Sequence, residues 1–206
     1  MITVGTLLFP GFELLDVFGP LEMFGALNED CCLEMVAEQS GPIGSRQGPE
    51  TIANIAFSDA KPYDILLIPG GHGVRTEVGN PLLIGWLRQH AEASTIVATV
   101  CTGTALLART GLLDYRKATT NKAAFRWVME QGSSVRWQSR ARWVTDGKYY
   151  TASGVSAGMD MALALIAHLR GQEEAQKVAT FTEYRWQNDA NDDPFFHLYN
   201  LGDVAH

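Results

Sequence analysis

Cysteine is scarce in this sequence: only three of the 206 residues are cysteines. Cys31 and Cys32 are adjacent and Cys101 stands alone, a spacing that fits neither a disulfide framework nor a zinc site. Cysteines that remain free are typical of a reducing compartment. The sequence therefore predicts no metal site and a cytoplasmic setting.

Basic charge and long apolar runs are also lacking. Lys and Arg number 16 against 23 Asp and Glu, a net charge of −7 that argues against a nucleic-acid-binding surface. No apolar run approaches the roughly 20 residues that span a bilayer, and the N-terminus does not resemble a signal peptide. Neither a G-x-G-x-x-G nor a Walker pattern is present, so no nucleotide cofactor is implied. The expected partner is a small molecule, with no nucleic acid and no membrane.

Strand patterns and helix patterns alternate along the chain. Such alternation is typical of an α/β fold with a mainly parallel central sheet flanked by helices. Without a repeat or a linker, residues 1–206 are expected to form a single domain with an irregular tail at 185–206. The predicted strands are 2–9, 31–37, 63–71 including its glycine turn, 95–100, 117–120, 134–137 and 142–151, the last with a hairpin turn at Asp146-Gly147. Residues 40–49 are expected to form a loop or hairpin, followed by weak β character at 51–55. The predicted helices are 13–26 (either one helix or two pieces broken at Gly19-Pro20), 80–93 with Asn80 as its cap, 102–111, 121–130 with Asn121 as its cap, 155–169 and 172–184.

The most informative stretch is 94–108, where a β-branched run changes abruptly to helix-forming residues at Cys101. A residue at such a corner lies on a tight turn at the carboxyl end of the sheet, where open α/β folds bind ligands. This pattern is typical of a nucleophile elbow, and Gly103 would leave room for a substrate. The alternative is a buried structural cysteine.

The elbow by itself would not make Cys101 reactive. A helix N-terminus supplies about 0.3–1 kcal/mol, at best roughly 2, which brings a thiol pKa from about 8.5 to roughly 7–8. A second group is therefore required, and Asp16 is the candidate. Its apolar neighbours should desolvate the carboxyl and raise its pKa, so that it could hydrogen-bond a thiolate and pass on a proton. The alternative is a helix-terminal or otherwise satisfied carboxylate.

Short motifs spread over most of the chain resemble the ThiJ/PfpI superfamily, which has a class I glutamine amidotransferase-like (flavodoxin-like) fold. They are Leu8-Phe9-Pro10, Leu15-Asp16-Val17-Phe18-Gly19-Pro20, Tyr63-Asp64, Pro69-Gly70-Gly71, Val100-Cys101-Thr102-Gly103, Gly111-Leu112-Leu113, Ala118-Thr119-Thr120, Ser153-Gly154 and Ala157-Gly158-Met159-Asp160. Within the superfamily the chain looks most like the isocyanide hydratase branch, which has an aspartate at this early position and a threonine after the cysteine.

The resemblance implies specific roles for these residues. Cys101 would be the nucleophile, Asp16 its acid/base partner, and Thr102 a contact to the sulfur or the substrate. The N–H groups of Gly70 and Gly71 would stabilise an anion. The implied reaction needs no cofactor and converts an isocyanide to an N-substituted formamide. Superfamily members are commonly dimers, so a homodimer is expected.

Two positions depart from the superfamily's patterns. Thr102 stands where the protease-like members have histidine, which argues against peptidase activity, and Asn121 stands where many relatives have another histidine.

His72 could act as a base if its ring points toward Cys101; otherwise it is an exposed loop residue. The tail aromatics either pack on the domain or a partner subunit, or line the pocket; they are Tyr184, Trp186, Phe195 and Phe196.

Two other functions remain open at this point. One is glyoxalase- or deglycase-type activity on α-oxoaldehydes, which also uses a thiolate. The other is a non-enzymatic redox or stress sensor, in which Cys101 oxidises to a sulfinic acid held by Asp16.

Overall fold

The computed structural model describes residues 1–202; residues 203–206 of the expected tail, His206 among them, lie outside the described part. The described strands are β1 (Ile2–Leu7), β2 (Cys31–Ala37), β3 (Gly41–Gly44), β4 (Glu50–Ala53), β5 (Ile55–Ala56), β6 (Ile65–Ile68), β7 (Ile96–Val100), β8 (Lys117–Ala118), β9 (Arg136–Trp137), β10 (Trp143–Asp146) and β11 (Tyr149–Ala152). The helices are α1 (Leu14–Gly25), α2 (Val74–Glu77), α3 (Pro81–Ala93), α4 (Gly103–Arg109), α5 (Phe125–Met129), α6 (Ala157–Arg170) and α7 (Gln172–Phe181), with 3-10 helices at Asn28–Asp30 and Phe196–Tyr199.

Seven strands form one central sheet in the order β10-β11-β7-β6-β1-β2-β5. All neighbours in it are parallel except β10 and β11, which form the antiparallel hairpin expected around the Asp146-Gly147 turn. Every residue of β6 and β7 is buried, as expected for parallel strands covered on both faces. Helices α1, α6 and α7 pack together, while α2, α3 and α5 pack around α4. The predicted fold class is confirmed.

Helix α1 is one continuous helix despite its internal Pro20. Gly19 and Pro20 are buried against α6, where a Cβ on Gly158 would lie 3.2 Å from Pro20 Cγ. This close approach between two helices explains why a helix-breaking pair is accommodated here.

Helix ends are less accurately predicted than helix positions. Asn80 caps α3 as expected, with its side chain accepting from the N–H groups of Leu82 and Leu83. The expected helix at 121–130 is wrong in length, because α5 covers only Phe125–Met129. The Asn121 side chain accepts instead from the Ala124 N–H (3.0 Å), in the turn before α5.

The order of the strands determines where a site can form. After β1 the chain pairs β2 on one side and later returns to pair β6 on the other, so β1 and β6 flank a topological switch point. Ligands bind outside the carboxyl ends of strands at such a point. The segments that follow β1, β6, β7 and β11 meet there.

Candidate active site

Cys101 lies at the sharp corner between β7 and α4. Its φ of 56° is in the left-handed region, which non-glycine residues seldom adopt and which is common at functional sites. Its N–H donates to the Ser153 carbonyl (2.9 Å), and its own carbonyl accepts from the Thr120 hydroxyl (2.7 Å). Two neighbouring segments therefore hold the corner in this conformation, as a nucleophile elbow requires.

The Cys101 thiol is buried, and its pKa is raised rather than lowered. Burial is the largest cause and the nearby Asp16 charge the second; the N–H groups of Thr102 and Val155 and the Thr102 side chain act in the opposite direction. The expectation that the elbow alone brings the thiol pKa to roughly 7–8 is thus wrong, because burial outweighs the helix N-terminus. A reactive thiolate depends on a proton acceptor.

Asp16 lies in the first turn of α1 and is fully buried. Its Oδ2 accepts from the Gly70 N–H (2.8 Å), whereas its buried Oδ1 has no partner of regular hydrogen-bond geometry among residues 1–202. Burial raises the pKa of Asp16 to about 7, and the Glu13 charge adds to the rise; the Gly70 N–H and the neighbouring Cys101 thiol lower it. The desolvation expected from the apolar neighbours is present.

The carboxyl and the thiol form a coupled pair. Because each lies in the other's electrostatic field, ionisation of Asp16 raises the pKa of Cys101. The first proton leaves the pair near pH 7. Above that pH the pair holds a single proton, which can reside on the sulfur or on the carboxyl.

The glycine turn after β6 directs its N–H groups to the side chains of Asp16 and Thr102, and not to the position of a substrate anion. The Gly70 N–H is used by Asp16, and the Gly71 N–H donates to the Thr102 hydroxyl (3.1 Å). The expected anion-stabilising role of these two N–H groups is therefore corrected. The N–H groups near the sulfur are those of Thr102 and Val155.

Gly103 has a packing role in the structure. A Cβ at this position would collide with the carbonyl oxygens of Ile68 and Pro69 at the end of β6. Glycine is thus required so that α4 can start close against the neighbouring strand, and not to make room for a substrate. This expectation is also corrected.

A cavity of about 260 Å³ opens above the thiol. His72 and Asn121 lie in its wall, and the His72 ring makes no hydrogen bond within the described part of the chain. The full lining comprises Glu13, Arg46, Gly71, His72, Arg75, Cys101, Thr102, Asn121, Ala123, Ala124 and Val155. Of the predicted site residues, Asp16 and Gly70 support this wall from behind it.

One side of the cavity is charged, a feature for which the sequence carries no local signal. Glu13 pairs with Arg46 (3.3 Å) from the β3–β4 loop and also accepts from Gln47, while the Arg75 guanidinium lies 4.4 Å from the centre of the Trp127 ring. Arg46 lies in segment 40–49, for which the sequence predicts a loop or hairpin, and no local pattern links it to the site. Only the hairpin's position over the switch point does.

Val155 is the second residue that the sequence did not identify. Its φ of 30° is in a region that β-branched residues rarely occupy, and its N–H faces the Cys101 thiol. The preceding Ser153 carbonyl holds the Cys101 N–H. The motif at Ser153-Gly154 was visible in the sequence, but its role at the elbow was not.

The tail aromatics divide into two groups. The Tyr184 hydroxyl and the Trp186 indole N–H donate to the Asp160 carboxyl and carbonyl, and Phe196 is buried. Phe195 instead lines a second cavity beside the site. The packing alternative thus applies to Tyr184, Trp186 and Phe196, and none of the four aromatics lines the cavity above the Cys101 thiol.

No group of three or more His, Cys, Asp or Glu side chains within residues 1–202 is arranged to hold a metal ion. No helix in the same range is long and apolar enough to cross a membrane.

Fold and site together define an α/β protein with a cysteine at a nucleophile elbow, coupled to a buried acidic side chain. The chain belongs to the DJ-1/PfpI family, whose pattern matches residues 3–168.

Individual relatives agree with this assignment. The chain is 32% identical over 183 residues to an isonitrile hydratase of Pseudomonas putida, covering 89% of this chain and 78% of that protein. It is 27% identical to the HTH-type transcriptional regulator CdhR of Pseudomonas aeruginosa, covering 84% of this chain but only 52% of the regulator. A crystal structure of a ThiJ/PfpI family protein from Pseudomonas syringae superimposes with a TM-score of 0.83 at 27% identity, covering 98% of this chain and 79% of that one.

Proposed function

We propose that this protein is a cofactor-free cysteine enzyme that hydrates isocyanides (isonitriles) to N-substituted formamides. The observation that carries the proposal is the buried Asp16 carboxyl, with a pKa of about 7, beside the Cys101 thiol. Such a pair can remove the thiol proton and return it to a substrate near neutral pH. Similarity to the Pseudomonas putida isonitrile hydratase supports the choice of substrate.

The first half of the reaction uses the single proton of the pair. Asp16 takes the proton from the thiol, and the sulfur forms a bond to the terminal carbon of R–NC. The same carbon then receives the proton from Asp16. The product is a thioimidate, R–N=CH–S–Cys101, and the carboxylate is free again.

The second half consumes one water molecule. Asp16 accepts a proton from the water as the water oxygen adds to the thioimidate carbon, and it then passes this proton to the nitrogen. The C–S bond then breaks, R–NH–CHO leaves, and the remaining proton returns to the Asp16–Cys101 pair. The sum is R–NC plus water giving R–NH–CHO, with no oxidation or reduction.

The surrounding groups support these steps. The N–H groups of Thr102 and Val155 lower the pKa of the thiol and would stabilise the sulfur as the C–S bond breaks. The Thr102 hydroxyl is held by the Gly71 N–H. With Asn121 in the cavity wall, no imidazole is available at that position for acyl transfer, which favours proton transfer by Asp16.

The test is formamide production from a panel of alkyl and aryl isocyanides. Cys101→Ala and Asp16→Asn should each lower kcat/KM by at least about 100-fold, as expected for loss of a nucleophile or an acid/base group. Matched controls are Cys32→Ala, which removes a thiol on β2, and Asp114→Asn at an exposed position. Both controls should retain activity.

The pH dependence follows from the same pair. In the wild type, kcat/KM should rise with pH around about 7, where the pair loses its first proton. A wild type without turnover on any isocyanide would overturn the proposal. Methylglyoxal turnover, or oxidation of Cys101 alone by mild peroxide, would then point to an α-oxoaldehyde enzyme or a sensor.

A further inference from the structure

A second cavity of about 220 Å³ adjoins the active-site cavity. The two share three wall residues, Asn121, Ala123 and Val155. Unlike the first, the second is bordered by aromatic side chains of the C-terminal segment, Phe195 and Tyr199. The second cavity thus lies on the far side of the wall formed by these three residues.

A buried ion pair holds the backbone of Phe195 beside this cavity. Asp193 is buried and pairs with the equally buried Lys122 (3.6 Å), and its Oδ1 accepts from the Phe195 N–H (2.9 Å). Lys122 also donates to the Ala141 carbonyl (2.6 Å). The backbone that carries Phe195 is therefore fixed, whereas the Phe195 side chain remains 49% exposed.

The two sides of the combined cavity differ in polarity. Toward the β3–β4 loop the wall carries Glu13, Arg46 and Arg75. An apolar group placed there would desolvate these charged side chains, which is unfavourable. Toward the C-terminal segment it would contact aromatic rings. The substituent of a neutral organic substrate is therefore directed to the aromatic side.

We propose that Phe195 and Tyr199 bind the N-substituent of the substrate and make the enzyme prefer aryl and cyclic isocyanides to short alkyl ones. The inference rests on the proposed hydratase function. It goes beyond that function by assigning the specificity to the C-terminal segment, outside residues 3–168 that match the family.

The test compares Phe195→Ala and Tyr199→Ala with the wild type on cyclohexyl, phenyl and methyl isocyanide. Each variant should lose about tenfold or more in kcat/KM for the two ring substrates, mainly through KM, because a pocket contact of this size is lost. For methyl isocyanide, kcat/KM should stay within about twofold. Leu198→Ala is the matched control, since Leu198 directly precedes Tyr199 in the 3-10 helix Phe196–Tyr199, is 70% exposed and does not line the cavity.

Equal losses for the ring substrates and methyl isocyanide would overturn the assignment, and so would unchanged kinetics in both variants. A lowered Tm identifies a variant whose loss of kcat/KM comes from a displaced C-terminal segment. Such a variant is replaced by Phe195→Leu or Tyr199→Leu, and kcat/KM on the same three substrates is compared again.

A second readout does not depend on hydratase activity. The rate of Cys101 alkylation is measured by peptide mass spectrometry with iodoacetamide and with N-benzyl iodoacetamide. The rate with N-benzyl iodoacetamide divided by the rate with iodoacetamide should be lower in Phe195→Ala and Tyr199→Ala than in the wild type. In Leu198→Ala this ratio should be unchanged. If the wild type turns over no isocyanide but the ratio falls in the two variants, the hydratase function is refuted and the binding role of Phe195 and Tyr199 is retained. An unchanged ratio in both variants would refute that binding role.

Discussion

At the scale of single residues, the site keeps a carboxyl where a neutral side chain would be more stable. Asp16 is fully buried and only one of its oxygens has a regular hydrogen-bond donor. Its folded-state pKa of about 7 lies above the ordinary aspartate value of 3.8, so the native state binds this proton more tightly than the unfolded chain. The stabilisation from that proton is complete below about pH 4 and is lost as the pH rises to about 7.

Asp16→Asn should therefore increase stability at pH 8 while it removes activity. The shift of about three pKa units corresponds to at most about 4 kcal/mol, from which an unpaired amide N–H group subtracts roughly 1–3 kcal/mol. We expect a net gain of about 1–3 kcal/mol at pH 8, or a few degrees in Tm. Thermal unfolding at pH 5 and pH 8 measures it.

The pH dependence distinguishes this mechanism from a general effect of the substitution. The advantage of the Asn variant should shrink from pH 8 to pH 5, because the wild-type carboxyl regains its proton. Asp114→Asn, at an exposed position, should show no such trend. A variant that is equally destabilised at both pH values would contradict the assignment of a desolvated Asp16.

At the scale of elements, the site depends on how closely α1 and α6 approach. Gly19 faces Met159 of α6, and Gly158 faces both Pro20 and Val100, the residue before Cys101. A Cβ at Gly158 would lie 2.9 Å from Val100 Cγ1, which is closer than carbon atoms pack. Small residues at this crossing thus bring Asp16 on α1 toward the elbow.

Gly158→Ala should destabilise the protein by about 1–3 kcal/mol through overpacking, with a loss of turnover because α1 or β7 must shift. Gly85→Ala is the matched control: Gly85 is exposed within α3, and a Cβ there meets no atom within 4 Å. That substitution should stabilise by roughly 0.5–1 kcal/mol. Urea denaturation compares the two, and equal effects of the same sign would contradict the packing argument.

At the scale of the whole molecule, buried ion pairs fasten the C-terminal segment to the domain. The Asp160 carboxyl accepts from the Arg142 Nε (2.7 Å), the Tyr184 hydroxyl and the Gln187 N–H. These bonds join α6 to the residue before β10 and to the segment after α7. Burial raises the pKa of Asp160 even beside Arg142. The network therefore adds specificity of docking more than net stability.

Asp160→Asn should destabilise the protein by about 3–5 kcal/mol, because it leaves the Arg142 charge buried without its partner. Limited proteolysis should cut the segment after Phe181 faster than in the wild type. Asp192→Asn, at an exposed position of the same segment, should change neither stability nor cleavage. Wild-type-like proteolysis of Asp160→Asn would show that the segment is held by other contacts.

The homodimer implied by the resemblance stays a prediction.

Local sequence was sufficient for the features that depend on neighbouring residues. The alternation of apolar strands and helices gave the parallel α/β fold, and the abrupt change at Cys101 indicated the elbow. The apolar neighbours of Asp16 indicated its raised pKa. Each of these depends on residues adjacent in the chain, so the sequence carries the signal directly.

Tertiary structure decided what lies opposite those residues. The sequence did not show that Gly70 and Gly71 direct their N–H groups to Asp16 and Thr102, or that Gly103 serves packing. Nor did it show that Val155, Arg46 and Phe195 border the cavities. These residues are far apart in the chain and meet only because parallel strands place the loops after their carboxyl ends at one edge of the sheet. Which of those loops meet depends on the order of the strands, which local sequence patterns do not encode.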